Sequence, residues 1–342
     1  MNNKIKKIVY TLTALAIGTT VFTGCGSGSS SGANNSGSGK SNVLNIAIQP
    51  SASFIPLYIA REKGWIEEAL KEQGVTVKWN DFESGPPMNE SLAAGESDIA
   101  VAGDVPVVSA IAAGQNNEII AIASHAPKSY GVVVPADSDI NSAADLKGKV
   151  LATTIGSTSH EHLDMLLAAN NIDINLDVQL VNISTGDAAT ILANHEADAV
   201  ALWEPNITRL TDSGDARLIA TGDDCGLLGI NPVVVRADYA ENNKEIIKVF
   251  LEQYARAVKE SDNIDEETLT KVSEDLSLTP EQVTELRPKY DYVLKVTDED
   301  APNLQKTIQF LVKIGNLEKE YDIKDYIKNE YTENADIDEY LK

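Results

Sequence analysis

The sequence predicts an α/β protein of two lobes, each built on a mostly parallel sheet, with a hinge and a ligand cleft between them. Three observations carry that expectation. Short apolar runs alternate with helical patterns, the signature of parallel strands linked by crossover helices. The alternation comes as two series, one ending near Ser124 and another beginning after Lys149. Two similar segments, Val132-Val133-Val134-Pro135-Ala136-Asp137 and Val233-Val234-Val235-Arg236-Ala237-Asp238, bracket the second series. Read as the two crossings, they make residues 135–231 an inserted second lobe, and residues 43–134 with 232–342 the first.

In the first series, Leu44 to Ile48 alternates like a strand, Leu57 to Glu72 has helical spacing, Val75 to Trp79 is a strand and Met88 to Ala94 a helix. Strand, helix and strand follow over Asp98 to Ala102, Val107 to Ala113 and Ile119 to Ser124. The second series runs strand Val150 to Thr153, helix Glu161 to Ala169, strand Val178 to Asn182, helix Ala188 to Glu196 and strand Ala199 to Trp203. From Ala240 onward the chain is helical and acidic. Lys244 to Lys259 is its clearest amphipathic stretch, and this region reads as scaffold completing the first lobe.

The N-terminus carries Lys4, Lys6 and Lys7, an apolar run from Ile8 to Phe22, and then Thr23-Gly24-Cys25. A basic start, an apolar run too short for a mature span and small residues before a cut point mark an export peptide. The segment resembles a bacterial lipoprotein signal, which implies that residues 1–24 are removed and Cys25 becomes the lipidated first residue. Phe22 departs from the aliphatic residue usual there. Gly26 to Lys40 are almost all Gly, Ser, Asn and Ala, a composition that buries no core and acts as a flexible tether, so residues 25–42 are read as lipidated Cys plus tether. The expected location is the outer face of the cell membrane, periplasmic if an outer membrane exists.

A body of about 300 residues is long for one core. The chain has 28 basic and 52 acidic residues, a net charge of −24. Removing the three early lysines makes it more negative, which argues against nucleic acid or anionic lipid as direct partners. With Cys25 acylated, Cys225 has no intrachain partner, so no disulfide framework exists.

Five loops follow strands and open helices. Gly156-Ser157-Thr158-Ser159-His160 offers backbone N–H groups and hydroxyls where the helix dipole is positive, and such a site suits an anion. Ser184-Thr185-Gly186-Asp187 repeats it one unit later. Gly103-Asp104-Val105-Pro106, Ser84-Gly85-Pro86-Pro87 and Gln49-Pro50-Ser51-Ala52-Ser53 hold equivalent places in the first series. Ligands in open α/β sheets bind outside the carboxyl ends of the strands, where all five lie. Trp203 and Tyr130 are candidates to line the cleft.

Together with Ala144-Asp145-Leu146-Lys147-Gly148-Lys149 and Leu202-Trp203-Glu204-Pro205, these motifs resemble the aliphatic-sulfonate, taurine and nitrate branch of the substrate-binding proteins of ABC transporters, over roughly Val43 to Asp238. The resemblance implies the type II periplasmic-binding-protein fold, closure on a small anionic solute, and delivery to a membrane permease driven by an ATPase. It implies no catalytic residue, no cofactor, no metal, and a monomer. Carried onto this chain, the ligand shell is Gln49, Ser51, Gly85, Gly103, Asp104, Ser157, Thr158, His160, Thr185, Asp187, Trp203 and Glu204. Asn206 stands where an aromatic residue is usual after the Trp-acid-Pro run, Gly186 replaces a small residue before Asp187, and the Trp-containing tail of some sulfonate binders is missing, so the solute's tail is expected to differ. Asp104, Asp187 and Glu204 also suit an amine, as in taurine.

Two rival functions share the fold. A branch that makes the thiamine pyrimidine uses histidine and iron, and this chain has His160, His162 and His195. His160 and His162, two apart at a helix start, point to nearly opposite sides and cannot easily share one metal. A lipoprotein sensor acting on a membrane receptor would present the same cleft.

Overall fold

The structure, a computed structural model, describes residues 42–341. The export signal, Cys25 and the tether through Lys40 lie outside those residues. The strands are β1 (Val43–Ile48), β2 (Thr76–Asp81), β3 (Ile99–Val101), β4 (Asn117–His125), β5 (Tyr130–Pro135), β6 (Val150–Thr153), β7 (Gln179–Asn182), β8 (Ala199–Trp203), β9 (Ala216–Thr221) and β10 (Ile230–Arg236). They form two five-stranded sheets, ordered β2-β1-β3-β10-β4 and β7-β6-β8-β5-β9. Within each, the first three neighbours are parallel. The fourth strand runs antiparallel to both of its neighbours.

The likeness of the two valine segments now has a physical cause. β5 and β10 hold the same fourth place, paired on both edges. Their Val132, Val133, Val134 and Val233, Val234, Val235 are all buried, because helices cover both faces of each sheet and leave no solvent side for polar alternation. The strands are not themselves the crossings, however. Residues 130–134, expected with the first lobe, pair wholly in the second sheet, and Ile230 and Asn231, expected with the second, belong to β10 of the first. The chain passes between sheets just before each strand. Those two passages are tied together: Ala126 N–H donates to Leu228 O and Gly229 O, each at 3.1 Å. Gly229 is held at φ +65°, and a Cβ there would come within 2.7 Å of Ala126 O, so only glycine fits. The two ends of the segment that forms the second sheet also meet, because Gly131 near the start of β5 pairs with Thr221 at the end of β9.

The C-terminal region braces the first sheet from both faces. Helix Lys244–Glu260 buries Ile246, Ile247, Phe250, Leu251 and Tyr254 in one cluster with Leu44, Ile46 and Ile48. Helix Asp300–Lys313 buries Leu304, Ile308 and Leu311 in a second cluster with Ala47, Val105 and Val108. At roughly 1.5–3 kcal/mol for each large apolar side chain, this burial dominates the lobe's stability. The helix expected over Leu57 to Glu72 is two, Ile55–Glu62 and Trp65–Lys71, parted at Gly64. β9 was not predicted, since Arg217 interrupts its apolar run.

Candidate functional site

Three helices start at one place between the sheets: Gly85–Ala94, Asp104–Ala112 and Thr158–Ala169. The first two follow β2 and β3, and the third follows β6, so strand topology alone sends their positive ends to a common point. Gly85, Gly103, Ser157 and Thr158 line the resulting cavity with Gln49, Ser51, Pro106, Tyr130, Trp203 and Asn231. Gly103 has a steric reason to be glycine. Its Cβ would meet Thr158 Oγ1 at 2.3 Å, so a side chain there would hold the two lobes apart.

The hydroxyls are less free than the sequence suggests. Ser157 Oγ donates to Thr154 O at 2.7 Å and accepts from His160 N–H at 3.4 Å, so it caps its own helix. Thr158 Oγ1 donates to Asp104 Oδ1 at 2.7 Å, joining helices of opposite lobes. Tyr130 donates to Asn231 Oδ1 at 3.4 Å, and Asn231 Nδ2 donates to Ser124 Oγ and Gly229 O. Two buried polar atoms at the cavity lack partners, Trp203 Nε1–H and Gln49 Oε1. Buried groups of this kind are rare without a reason, and a bound solute is one. None of the residues lining the cavity is Arg or Lys. Pro86, Pro87 and Pro106 carry no N–H, and Val105 and His160 N–H are already engaged, so its donors are the remaining N–H groups at the helix starts, the Gln49 amide, the Ser51 hydroxyl and the Trp203 indole. That set suits the spread charge of a monoanion and an apolar or neutral tail.

The cavity measures about 20 Å³. That is room for roughly one water, so a solute enters only if the lobes part. Contacts between the lobes ring it: Lys289 Nζ meets Glu204 Oε1 at 2.6 Å, Lys313 Nζ meets both oxygens of Asp164 at 2.7 and 2.9 Å, and Arg209 donates to the carbonyls of Leu276 and Ser277. A larger space of about 510 Å³ near Gln115 and Arg236 lies where helices Gly85–Ala94 and Asp104–Ala112 end. Carbonyls crowd that end, so it does not suit an anion.

Of the expected ligand shell, the structure brings Gln49, Ser51, Gly85, Gly103, Ser157, Thr158 and Trp203 to the cavity. It does not bring the other five. Asp104 is buried directly behind Thr158. Glu204 faces Lys289 and accepts from Thr208 N–H at 2.9 Å, capping a helix. Asp187 is exposed and accepts from Ser184 Oγ, and Thr185 sits beside it. His160 packs edge-on against Phe310, centroids 5.2 Å apart, and burial holds its pKa below the ordinary range. His162 is buried elsewhere, beside the Thr221 backbone, and its pKa is pushed down to about 4 by burial. The two histidines do not converge. Asn231 and Pro106 were missed. Asn231 precedes the valine triplet and reads as a strand end, and Pro106 reads only as a helix start.

A two-lobed α/β protein with helix N-termini meeting in an interlobe cavity is the architecture of periplasmic binding proteins, and the comparisons agree. The chain belongs to the NMT1/THI5-like family, whose model matches residues 51–267. It is 29% identical to a putative aliphatic sulfonates-binding protein of Bacillus subtilis, over 92% of this chain and 93% of that one. It is 28% identical to the taurine-binding periplasmic protein of Escherichia coli, over 62% of this chain and 64% of that one. Among solved structures, the periplasmic aliphatic sulphonate binding protein SsuA of Escherichia coli superposes with TM-score 0.76 at 25% identity, covering 84% of this chain and 92% of that one. The MOPS-bound alkanesulfonate-binding protein SsuA of Xanthomonas axonopodis pv. citri shares the fold, at TM-score 0.77 and 24% identity, covering 84% of this chain and 99% of that one.

Proposed function

We propose that this chain is an extracytoplasmic solute-binding protein that captures a small anionic solute, sulfonate-, taurine- or nitrate-like, and delivers it to an ABC permease and its ATPase. The carrying observation is the meeting of three helix N-termini around a cavity lined by no Arg or Lys. Dipoles and N–H groups attract an anion while leaving no fixed ammonium to hold it after the lobes open. The net charge of −24 is no obstacle, since distant charges are screened over about 8 Å at physiological salt. Relatives named as aliphatic sulfonate and taurine binders support the solute class. The chain acts as a binder and not as an enzyme, and lipid on Cys25 holds it at the outer face of the membrane through the tether.

The solute is tested on purified protein lacking residues 1–25, by thermal shift against taurine, alkanesulfonates, nitrate, carboxylates and thiamine precursors. A solute at 100 times its dissociation constant stabilises by about 2.7 kcal/mol, which raises the melting temperature by a few degrees. A shift with thiamine precursors alone would replace the anion reading. The anchor is tested separately: Cys25→Ala should abolish incorporation of labelled palmitate, and label retained by that variant would refute it.

A further inference from the structure

Behind Thr158 lies a second closed space, bounded by Asp104, Glu161, Met165, Asn303, Lys306 and Thr307. Asp104 comes from the first lobe and Glu161 from the second, and they are only 3% and 2% exposed. The Asp104 carboxylate is well satisfied: it accepts from Thr158 Oγ1 at 2.7 Å, from Val105 N–H at 2.8 Å and from Thr307 Oγ1 at 3.3 Å. Glu161 has Asp104 and Thr307 as polar neighbours, and its Oε2 has no hydrogen-bond partner. Two buried carboxylates meeting without a cation cannot both stay ionised, since each is desolvated and each repels the other.

Among the described residues, the surrounding groups offer no such cation. On Glu161's own helix, Asp164 adds negative charge, already engaged by Lys313. His160 is kept neutral at neutral pH by burial. Tyr130 from β5 is buried with its phenol pKa pushed up, and so is the Cys225 thiol that follows β9. Lys306, on helix Asp300–Lys313, is exposed and turns its ammonium to Asn303 Oδ1 at 3.1 Å. The space itself is about 20 Å³. It holds roughly one water and excludes an organic ammonium.

We propose that Asp104 and Glu161 form a proton-binding site between the lobes. One proton sits on the Glu161 carboxyl, facing the Asp104 carboxylate, and it is held only while the lobes are closed. Closing takes that proton from solvent and opening returns it. Asp104 remains the anion because three donors already point at it. Burial raises the Glu161 pKa well above the usual carboxyl range. Burial also raises Asp104, to about 6, against the hydrogen bonds from Thr158, Val105 and Thr307. The sign follows. A carboxyl whose pKa is higher closed than open favours the closed form at low pH, and the advantage is lost as pH rises from the ordinary carboxyl range through the raised value. Near neutral pH, uptake of one proton per closure makes the solute dissociation constant rise by up to tenfold per pH unit.

The inference rests on the reading of the chain as a protein that closes on a solute, so the test has an arm that needs none. Titration calorimetry with taurine, methanesulfonate and nitrate, in two buffers of different ionisation heat between pH 6 and 8.5, should show about one proton taken up per solute bound. In Glu161→Gln, which keeps the shape and removes the charge, uptake should vanish and affinity should stop falling with pH. Buffer-independent heats in the parent, or equal uptake in the variant, would overturn the proposal. If none of the three probes binds, the solute class is wrong, and small-angle scattering without solute decides the proton site. The parent's radius should shrink from pH 8.5 to 5.5 while that of Glu161→Gln stays level. A pH-independent radius in both proteins would overturn it.

Discussion

Two polar spaces lie between the lobes on either side of Thr158, and they are built on opposite principles. The front cavity offers N–H and hydroxyl groups with no charged side chain, and two of its buried atoms, Trp203 Nε1 and Gln49 Oε1, lack partners. The rear space holds two carboxyls, one satisfied and one not. Helix N-termini supply both, since Asp104 and Glu161 sit in the first turns of the helices whose starts line the front. The comparison teaches that a helix start is not by itself an anion site. On both helices the two faces divide: Asp104 and Glu161, in the first turn, line the rear space, while Gly103 and Ser157, just before it, line the front.

The largest expected effect breaks the contact that separates the two spaces. Gly103→Val places a branched side chain against Thr158, so the lobes should no longer close, and solute affinity should fall at least a hundredfold with little change in far-UV dichroism. Affinity within tenfold of the parent would show that this contact does not define the closed state. Lys289→Met removes the partner of Glu204, whose side chain is 1% exposed. Leaving a buried carboxylate without its cation should cost a few kcal/mol, read as a lower denaturant midpoint, and Glu204→Gln should restore most of it. Trp203→Phe keeps the ring and deletes the free indole donor at the front cavity. A hydrogen bond to a charged group is worth roughly 1.5–3 kcal/mol, so calorimetry should find about a tenfold weaker anion or more. An unchanged constant would move the anion away from that wall. Lys313→Ala breaks a pair whose lysine is 44% exposed but whose Asp164 is 7% exposed, so the carboxylate left behind is closer to water than that of Glu204. The melting temperature should fall by less than in Lys289→Met, and the solution radius should widen slightly.

Acid pH sharpens the contrast differently. Burial holds the pKa of His162 down at about 4, so the folded protein keeps the ring neutral while the unfolded chain protonates near 6.5. Stability from this group is full above pH 6.5 and lost as pH falls toward 4, opposite in sign to Glu161. His162→Phe should therefore flatten the acid limb of a denaturation series. If the limb keeps its slope, His162 is not the group that titrates.

The architecture was legible because its signals are local. Apolar alternation marked the strands, and the paired valine triplets marked two equivalent buried strands. The place where the chain changes sheet was not, because residues 126–129 and 226–229 are defined by a long-range bond between Ala126 and Gly229 that no local pattern records. For the site, loops at strand ends were readable, and residues of four of the five did converge, while Ser184-Thr185-Gly186-Asp187 stayed outside the cavity. Which way a side chain turned was not. Glu204 reads like a cleft acid from its neighbours Trp203 and Pro205, yet Lys289, 85 residues later, draws it aside. Glu161 reads as an ordinary first-turn acid, favourable to the dipole, and nothing nearby announces that Asp104 will close over it.

The pairing of Gly131 with Thr221 has a consequence beyond the hinge. The stretch that forms the second sheet leaves the first and returns at adjacent backbone positions, so its two ends are already joined by a ladder. Such a segment is a cassette: it can be lifted out or exchanged between relatives without stretching the host chain, since closing its loop adds little entropy cost. Four of the ten residues of the cavity wall, Tyr130, Ser157, Thr158 and Trp203, would travel with it, and solute preference can be inherited by the lobe and not only residue by residue.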